Sequence, residues 1–90
     1  MILVVTLRFN NELMTIHVYA ALKDYFGSEF ELTAPVQSVE ELRALLLKQN
    51  PGAAGILPVC RFAVNDTFVD SQFQLQAHDA IHIIPPSSGG

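Results

Sequence analysis

The sequence closes on Pro85-Pro86-Ser87-Ser88-Gly89-Gly90, directly after the strand-like run Ala80-Ile81-His82-Ile83-Ile84. Glycine has no Cβ and adopts almost any backbone conformation, so a terminal Gly-Gly can thread a narrow slot in a partner enzyme where a larger residue would clash. Its one reactive group is the α-carboxylate of Gly90, which makes the terminus itself a candidate substrate. Pro85 and Pro86 lack N–H donors and hold extended geometry, so they end the strand and project the last residues away from the body. Many chains end in small residues without chemical consequence. The diglycine therefore needs support from the rest of the sequence.

Other candidates carry less. His17 and His82 both fall on the outward faces of strands expected to be neighbours, so a metal is conceivable, but two histidines without a carboxylate or cysteine nearby in sequence more often line a solvated or partner-facing surface. No metal site is expected. Asn65-Asp66-Thr67 fits the N-glycosylation acceptor pattern, yet without a leader peptide it reads as a hairpin turn. Asp66, Asp70 and Asp79 sit at turns or element starts, where aspartate is favoured for bonding to the backbone, and no catalytic role is assigned to them. Cys60, the single cysteine, has apolar neighbours and is expected to be a buried, inert thiol. Phosphate-binding glycine loops, metalloprotease helices and nucleophile elbows are absent from the sequence.

Composition bounds the rest. Ninety residues make one domain with a single modest core. Half the residues are apolar and 16% are charged, so the chain should fold. A formal charge of -4 argues against nucleic acid as a partner and leaves room for an acidic face. Ile2-Leu3-Val4-Val5 is too short for a signal peptide and has no basic residue before it, and no run approaches a membrane span. A cytoplasmic domain without membrane contact is expected.

The elements that must position the terminus follow from periodicity. Thr15 to Ala20 alternates, with Ile16, Val18 and Ala20 on one face and His17 and Tyr19 on the other. Ala21 to Phe26 reads as a short helix closed by Gly27, and Glu29 to Thr33 as a second strand broken by Ala34-Pro35. Ser38 with Glu41 three residues later is a capping box, followed by an apolar stripe of Val39, Leu42, Leu45 and Leu46, with Glu40, Arg43 and Lys48 facing out. Asn50-Pro51-Gly52 stops that helix, and Pro51 to Pro58 reads as a loop. Val59 to Val64 and Thr67 to Val69 are strands joined at Asn65-Asp66. Gln72 to Asp79 is expected to hold a tight helical turn before the last strand, Ala80 to Ile84. The predicted core is Ile16, Val18, Leu32, Val39, Leu42, Leu46, Phe62, Val64, Ile81 and Ile83.

This order describes an α+β roll of the ubiquitin-like β-grasp type, a mixed sheet with one main helix packed across it and a flexible C-terminal tail. At this point a resemblance becomes specific. His17-Val18-Tyr19-Ala20-Ala21-Leu22-Lys23-Asp24-Tyr25-Phe26-Gly27, Ser38-Val39-Glu40-Glu41-Leu42-Arg43, Phe62-Ala63-Val64-Asn65, His78-Asp79-Ala80-Ile81 and Ile84 to Gly90 resemble the small subunit of molybdopterin synthase. That subunit belongs to the ubiquitin-like sulfur-carrier family, which also includes the thiamine-pathway carrier.

The resemblance implies that the carboxylate of Gly90, presented with Gly89, is adenylated by a ubiquitin-activating-type adenylyltransferase that uses ATP. A sulfur-donating enzyme then supplies the sulfur of a thiocarboxylate. Within a heterotetramer with the large subunit, that sulfur passes to a pterin precursor in molybdenum cofactor biosynthesis. It implies no bound cofactor and no catalytic side chain on this chain, and it marks Tyr19, Phe68, Ile84, Pro85 and Pro86 as partner contacts. The related alternatives are a carrier for thiamine, cysteine or transfer-RNA thiolation, or a protein modifier; Ile84-Pro85-Pro86 favours the pterin branch. A plain β-grasp interaction module is the third possibility. Ser87 departs from the small apolar residue usual at that place. Residues 1–13 have no counterpart, so the boundaries are an extension at 1–13, a β-grasp domain at 14–86 and the tail at 87–90. Ile2 to Phe9 is expected to be an added strand, at a sheet edge or paired with a second molecule.

Overall fold

The computed structural model describes residues 13–33 and 36–86. Five strands form one sheet in the order β2-β1-β5-β3-β4, where β1 is Met14–Val18, β2 Glu29–Leu32, β3 Arg61–Val64, β4 Thr67–Val69 and β5 Ala80–Ile84. β1 and β5 run parallel, and the other three pairings are antiparallel. Helix α1 (Lys23–Phe26) is a single turn, and α2 (Val39–Gln49) is the main helix. This is the mixed sheet and single long helix of the ubiquitin-like β-grasp fold.

The strands β1 and β5 bury alternate residues. Met14, Ile16 and Val18 of β1 and Ile81 and Ile83 of β5 point to the core, against Val39, Leu42 and Leu46 of α2. All ten core residues expected from the sequence are buried. Leu22, Ala53, Leu57, Cys60 and Leu75 join them from segments whose sequence has no period.

Several local features have clear causes. The Ser38 hydroxyl accepts the Glu41 N–H at 3.2 Å, as a capping box requires, while the Glu41 carboxylate accepts from Gln37, one residue before the cap, at 2.8 Å. Gly27 takes φ +76 and ends α1. Asn65 and Asp66 both have positive φ, the geometry of a two-residue type I′ hairpin between Val64 and Thr67.

The structure corrects four expectations. Ala20 does not continue β1: it adopts φ 56, turns the chain into a 3-10 segment (Ala20–Leu22) and is exposed. Pro51–Gly55 and Leu57–Val59 are short 3-10 helices rather than loop, and Val59 is therefore an exposed residue ahead of β3. Residues 72–79 hold no helical turn. Their backbone is used to complete α2, since the carbonyls of Ser71 and Phe73 accept from Glu40 and Val39, and Leu75 N–H bonds the Gln37 carbonyl. Donors at a helix start that lack intrahelical partners are thereby satisfied. Arg43 does not face out fully; it is half-buried, with its guanidinium 5.0 Å from the Phe62 ring centroid. The strand expected at Ile2 to Phe9 and the tail at 87–90 lie outside the described residues.

Leu46 is fully buried, so Leu46→Ala should lower unfolding free energy by about 2–5 kcal/mol in urea denaturation. Ser38→Ala, which removes only the cap, should cost about 0.5–2 kcal/mol in the same measurement.

Candidate functional site

The face of the sheet opposite α2 carries one continuous lateral row. Register pairs Glu29 with His17, His17 with His82, His82 with Ala63 and Ala63 with Phe68, so one rung crosses all five strands. Because side chains alternate along a strand, these residues project away from the core that Ile16, Ile81 and Phe62 fill. The small side chain of Ala63 opens a shallow depression of about 290 Å³, lined by Tyr19, Ala63, Asp66, Phe68, His82 and Ile84.

Side-chain contacts run along this rung. Tyr19 leaves β1 just before the turn at Ala20, and its hydroxyl lies 2.7 Å from Nδ1 of His82. The His82 and His17 rings stack with centroids 4.6 Å apart and planes 12° from parallel, and Nδ1 of His17 lies 3.6 Å from the Glu29 carboxylate. At the far side the Arg61 guanidinium covers the Phe68 ring at 3.8 Å. Phe68 still keeps 49% of its surface exposed and Tyr19 41%, so among the described residues two large rings flank a concave patch that is left uncovered.

Of the residues expected to meet a partner, Tyr19, Phe68 and Ile84 come together around this depression. Pro85 is buried, because the alternation that buries Ile81 and Ile83 continues one step past β5, and Pro86 is exposed. Gly89 and Gly90 lie outside the described residues. Arg61, Asp66 and His82 line or cover the same patch without having been singled out as contacts. The signal that would have found them is the register of β3 against β5, which places Ala63 beside His82 and Arg61 beside Ile84.

The remaining candidates take structural roles. The Asp79 carboxylate is buried and accepts from the Gln76 N–H at 2.7 Å and the Asn65 side chain at 3.4 Å, tying the start of β5 to the hairpin turn. Asp70 accepts from the Gln72 N–H at 2.9 Å. Burial pushes the Cys60 thiol above its usual range, against a smaller opposing pull from Arg43, and Sγ donates to the Ile56 carbonyl. A thiol held protonated is a poor nucleophile. Among the described residues no cluster of three or more His, Cys, Asp or Glu is arranged to hold a metal, and no helix is long and apolar enough to cross a membrane.

Residues 16–90 match the ThiS family through to the final glycine. The chain belongs to the ThiS family. No curated protein sequence matches it. Among solved structures, this ThiS-family chain is similar to the putative molybdopterin converting factor subunit 1 of Pyrococcus furiosus, at 19% identity and TM-score 0.74 over 84% of this chain and 99% of that one. It is similar to a chain in the complex of subunits 1 and 2 of the molybdopterin-converting factor of Helicobacter pylori, at 28% identity and TM-score 0.64 over 87% of this chain and 99% of that one. It also resembles the small archaeal modifier protein 1 of Haloferax volcanii, at 19% identity and TM-score 0.70 over 87% and 99%. The fold is that of the ubiquitin-like sulfur carriers.

Exposure separates two phenylalanines six positions apart. Phe68→Ala, at a residue 49% exposed, should cost about 1 kcal/mol, whereas Phe62→Ala, at a residue 1% exposed, should cost about 3–5 kcal/mol. Urea unfolding of both variants checks the contrast.

Proposed function

We propose that this protein is the sulfur-carrying subunit of a molybdopterin synthase, acting through the C-terminal carboxylate of Gly90. The observation that carries the reading is the likeness to a chain of the Helicobacter pylori complex of subunits 1 and 2, together with a family match that runs to the diglycine. A carboxylate is a poor electrophile. Attack of a Gly90 carboxylate oxygen on the α-phosphorus of ATP, on a ubiquitin-activating-type adenylyltransferase, expels pyrophosphate and leaves an acyl-adenylate. A sulfide equivalent from a sulfur-donating enzyme then forms the C–S bond as AMP departs. The resulting thiocarboxylate is a soft nucleophile that delivers sulfur to a cyclic pterin precursor.

In this scheme the chain supplies a reagent and a docking face. Acid and base groups come from the large subunit, and the chain binds no cofactor of its own. Tyr19, Phe68 and Ile84 form the apolar contact with that subunit, while Pro86 and the small residues after it reach its pocket in a cytoplasmic heterotetramer. A second reading keeps the same carboxylate chemistry but changes the acceptor to a protein lysine or another sulfur pathway. The likeness to small archaeal modifier protein 1 favours keeping it in view.

Reconstitution separates the two. The full chain, activated and mixed with a molybdopterin synthase large subunit and the pterin precursor, should yield the dithiolene product, and the chain lacking Gly90 should yield none. Product from the shortened chain would overturn the carrier role; thiocarboxylate formation without product would point to the other acceptors. Phe68→Ala should weaken binding to the large subunit by about 2 kcal/mol, roughly thirtyfold in Kd.

A further inference from the structure

The outward face of the sheet is uneven in charge. Arg61 is the only Arg or Lys on the five strands β1 to β5. Register sets it opposite Ile84, the last residue of β5, where the chain leaves the sheet toward its terminus. Its guanidinium lies 3.8 Å from the centroid of the Phe68 ring, so one planar face rests on aromatic surface. Arg61 is exposed, and among the described residues no carboxylate forms an ion pair with it. The acids of the same face stand elsewhere. Glu29 and Glu31 belong to β2, which β1 and β5 separate from β3, and Asp66 sits in the hairpin turn at the other end of β3.

We propose that Arg61 selects the docking partner by pairing with a carboxylate on that partner's surface, beside the pocket that receives the tail. The inference rests on the carrier reading and adds to it: the large subunit presents an apolar side chain to the depression between Tyr19 and Phe68, and an Asp or Glu next to it, over Arg61. The chemistry of the side chain supports this. A guanidinium stacked by its face keeps its N–H donors in the ring plane, at the open edge, in the fork that meets a carboxylate with two parallel bonds. Stacking also orders the long side chain in advance, so less rotamer freedom is lost when the partner arrives. Set against an apolar partner surface instead, the same charge would be stripped of water with nothing to offset the loss.

The distribution of charge gives the docking face a direction. The cation stands on β3 and the acids Glu29 and Glu31 on β2. A partner set down in reverse would bring its carboxylate against those two glutamates, a like-charge contact that selects against the wrong orientation. A guanidinium that did no more than brace Phe68 would give the same stack, but its contribution would need neither charge nor donors and would be indifferent to salt.

The test is calorimetric measurement of Kd between the full-length chain and a molybdopterin synthase large subunit, at about 0.03 M and about 0.5 M sodium chloride. Arg61→Met keeps an unbranched chain over Phe68 without charge or donors; it should weaken binding by about tenfold or more at low salt, and Arg61→Glu further still. Wild-type affinity should fall as salt rises, and that of the Met variant should fall much less. Lys48→Glu makes the same change of charge at an exposed position on α2 and should leave Kd within about twofold. In a double-mutant cycle, one Asp or Glu of the large subunit, cut to Ala, should matter when Arg61 is present and not when it is Met. An Arg61→Met chain that binds as tightly as wild type with the same salt dependence, or the lack of any acidic residue coupled to Arg61, would overturn the proposal while leaving the carrier reading in place. A wild-type chain that binds no large subunit would instead overturn the carrier reading, and this inference with it.

Discussion

The parallel pairing of β1 with β5 is the contact on which everything else depends. Parallel neighbours cannot be joined by a tight turn, so the helix, the 3-10 segments and the β3–β4 hairpin are all carried by the long connection between them. The register Ile16 to Ile81 and Val18 to Ile83 sets two apolar side chains from each strand toward α2. The same register sets His17 beside His82 on the other face. A slip of one residue would exchange the two faces, burying imidazoles and exposing isoleucines. Core and candidate site are therefore fixed by one set of backbone bonds.

That arrangement also explains how firmly so small a domain holds the strand that leads toward its C-terminus. β5 is the central strand, flanked by β1 on one side and β3 on the other, so the chain leaves the sheet from its best-held element. Pro85, buried in continuation of the strand's alternation, extends that hold by one residue. Asp79 secures the other end of β5 through its bonds to Gln76 and Asn65. On the outward face the exposed rings of Tyr19 and Phe68 are each braced by a polar neighbour, His82 and Arg61. Exposed aromatic surface of this kind is what an interface centre uses.

Much of this was legible in the sequence, and the parts that were not have a common cause. Strand alternation, the Ser38 cap, the Gly27 stop and the Asn65-Asp66 turn are local signals, readable within a few residues, and each found its place. The ubiquitin-like fold also came through, and Tyr19, Phe68 and Ile84, singled out from strand faces together with family resemblance, line one depression. Residues 51–59 and 72–79 were misread because their conformations answer to distant partners. Phe73 and Ser71 are drawn out of helical geometry to accept from Val39 and Glu40, a contact no window of sequence displays. Arg43 sits on an outward position of the helical stripe, but the neighbouring Phe62 ring offers its face and the long side chain folds back over it. The Tyr19–His82–His17–Glu29 chain needed the three-strand register, which sequence spacing alone does not contain.

In the proposed carrier role Gly90 is the reacting residue and no side chain of the domain is. The most direct measurement is intact-mass and fragment mass spectrometry of the chain after incubation with a ubiquitin-activating-type adenylyltransferase, ATP and a sulfur-donating enzyme. A single oxygen should be replaced by sulfur, with the change confined to the fragment that contains Gly90. Sulfur carried on Cys60, or a chain whose terminus stays a plain carboxylate under those conditions, would contradict it.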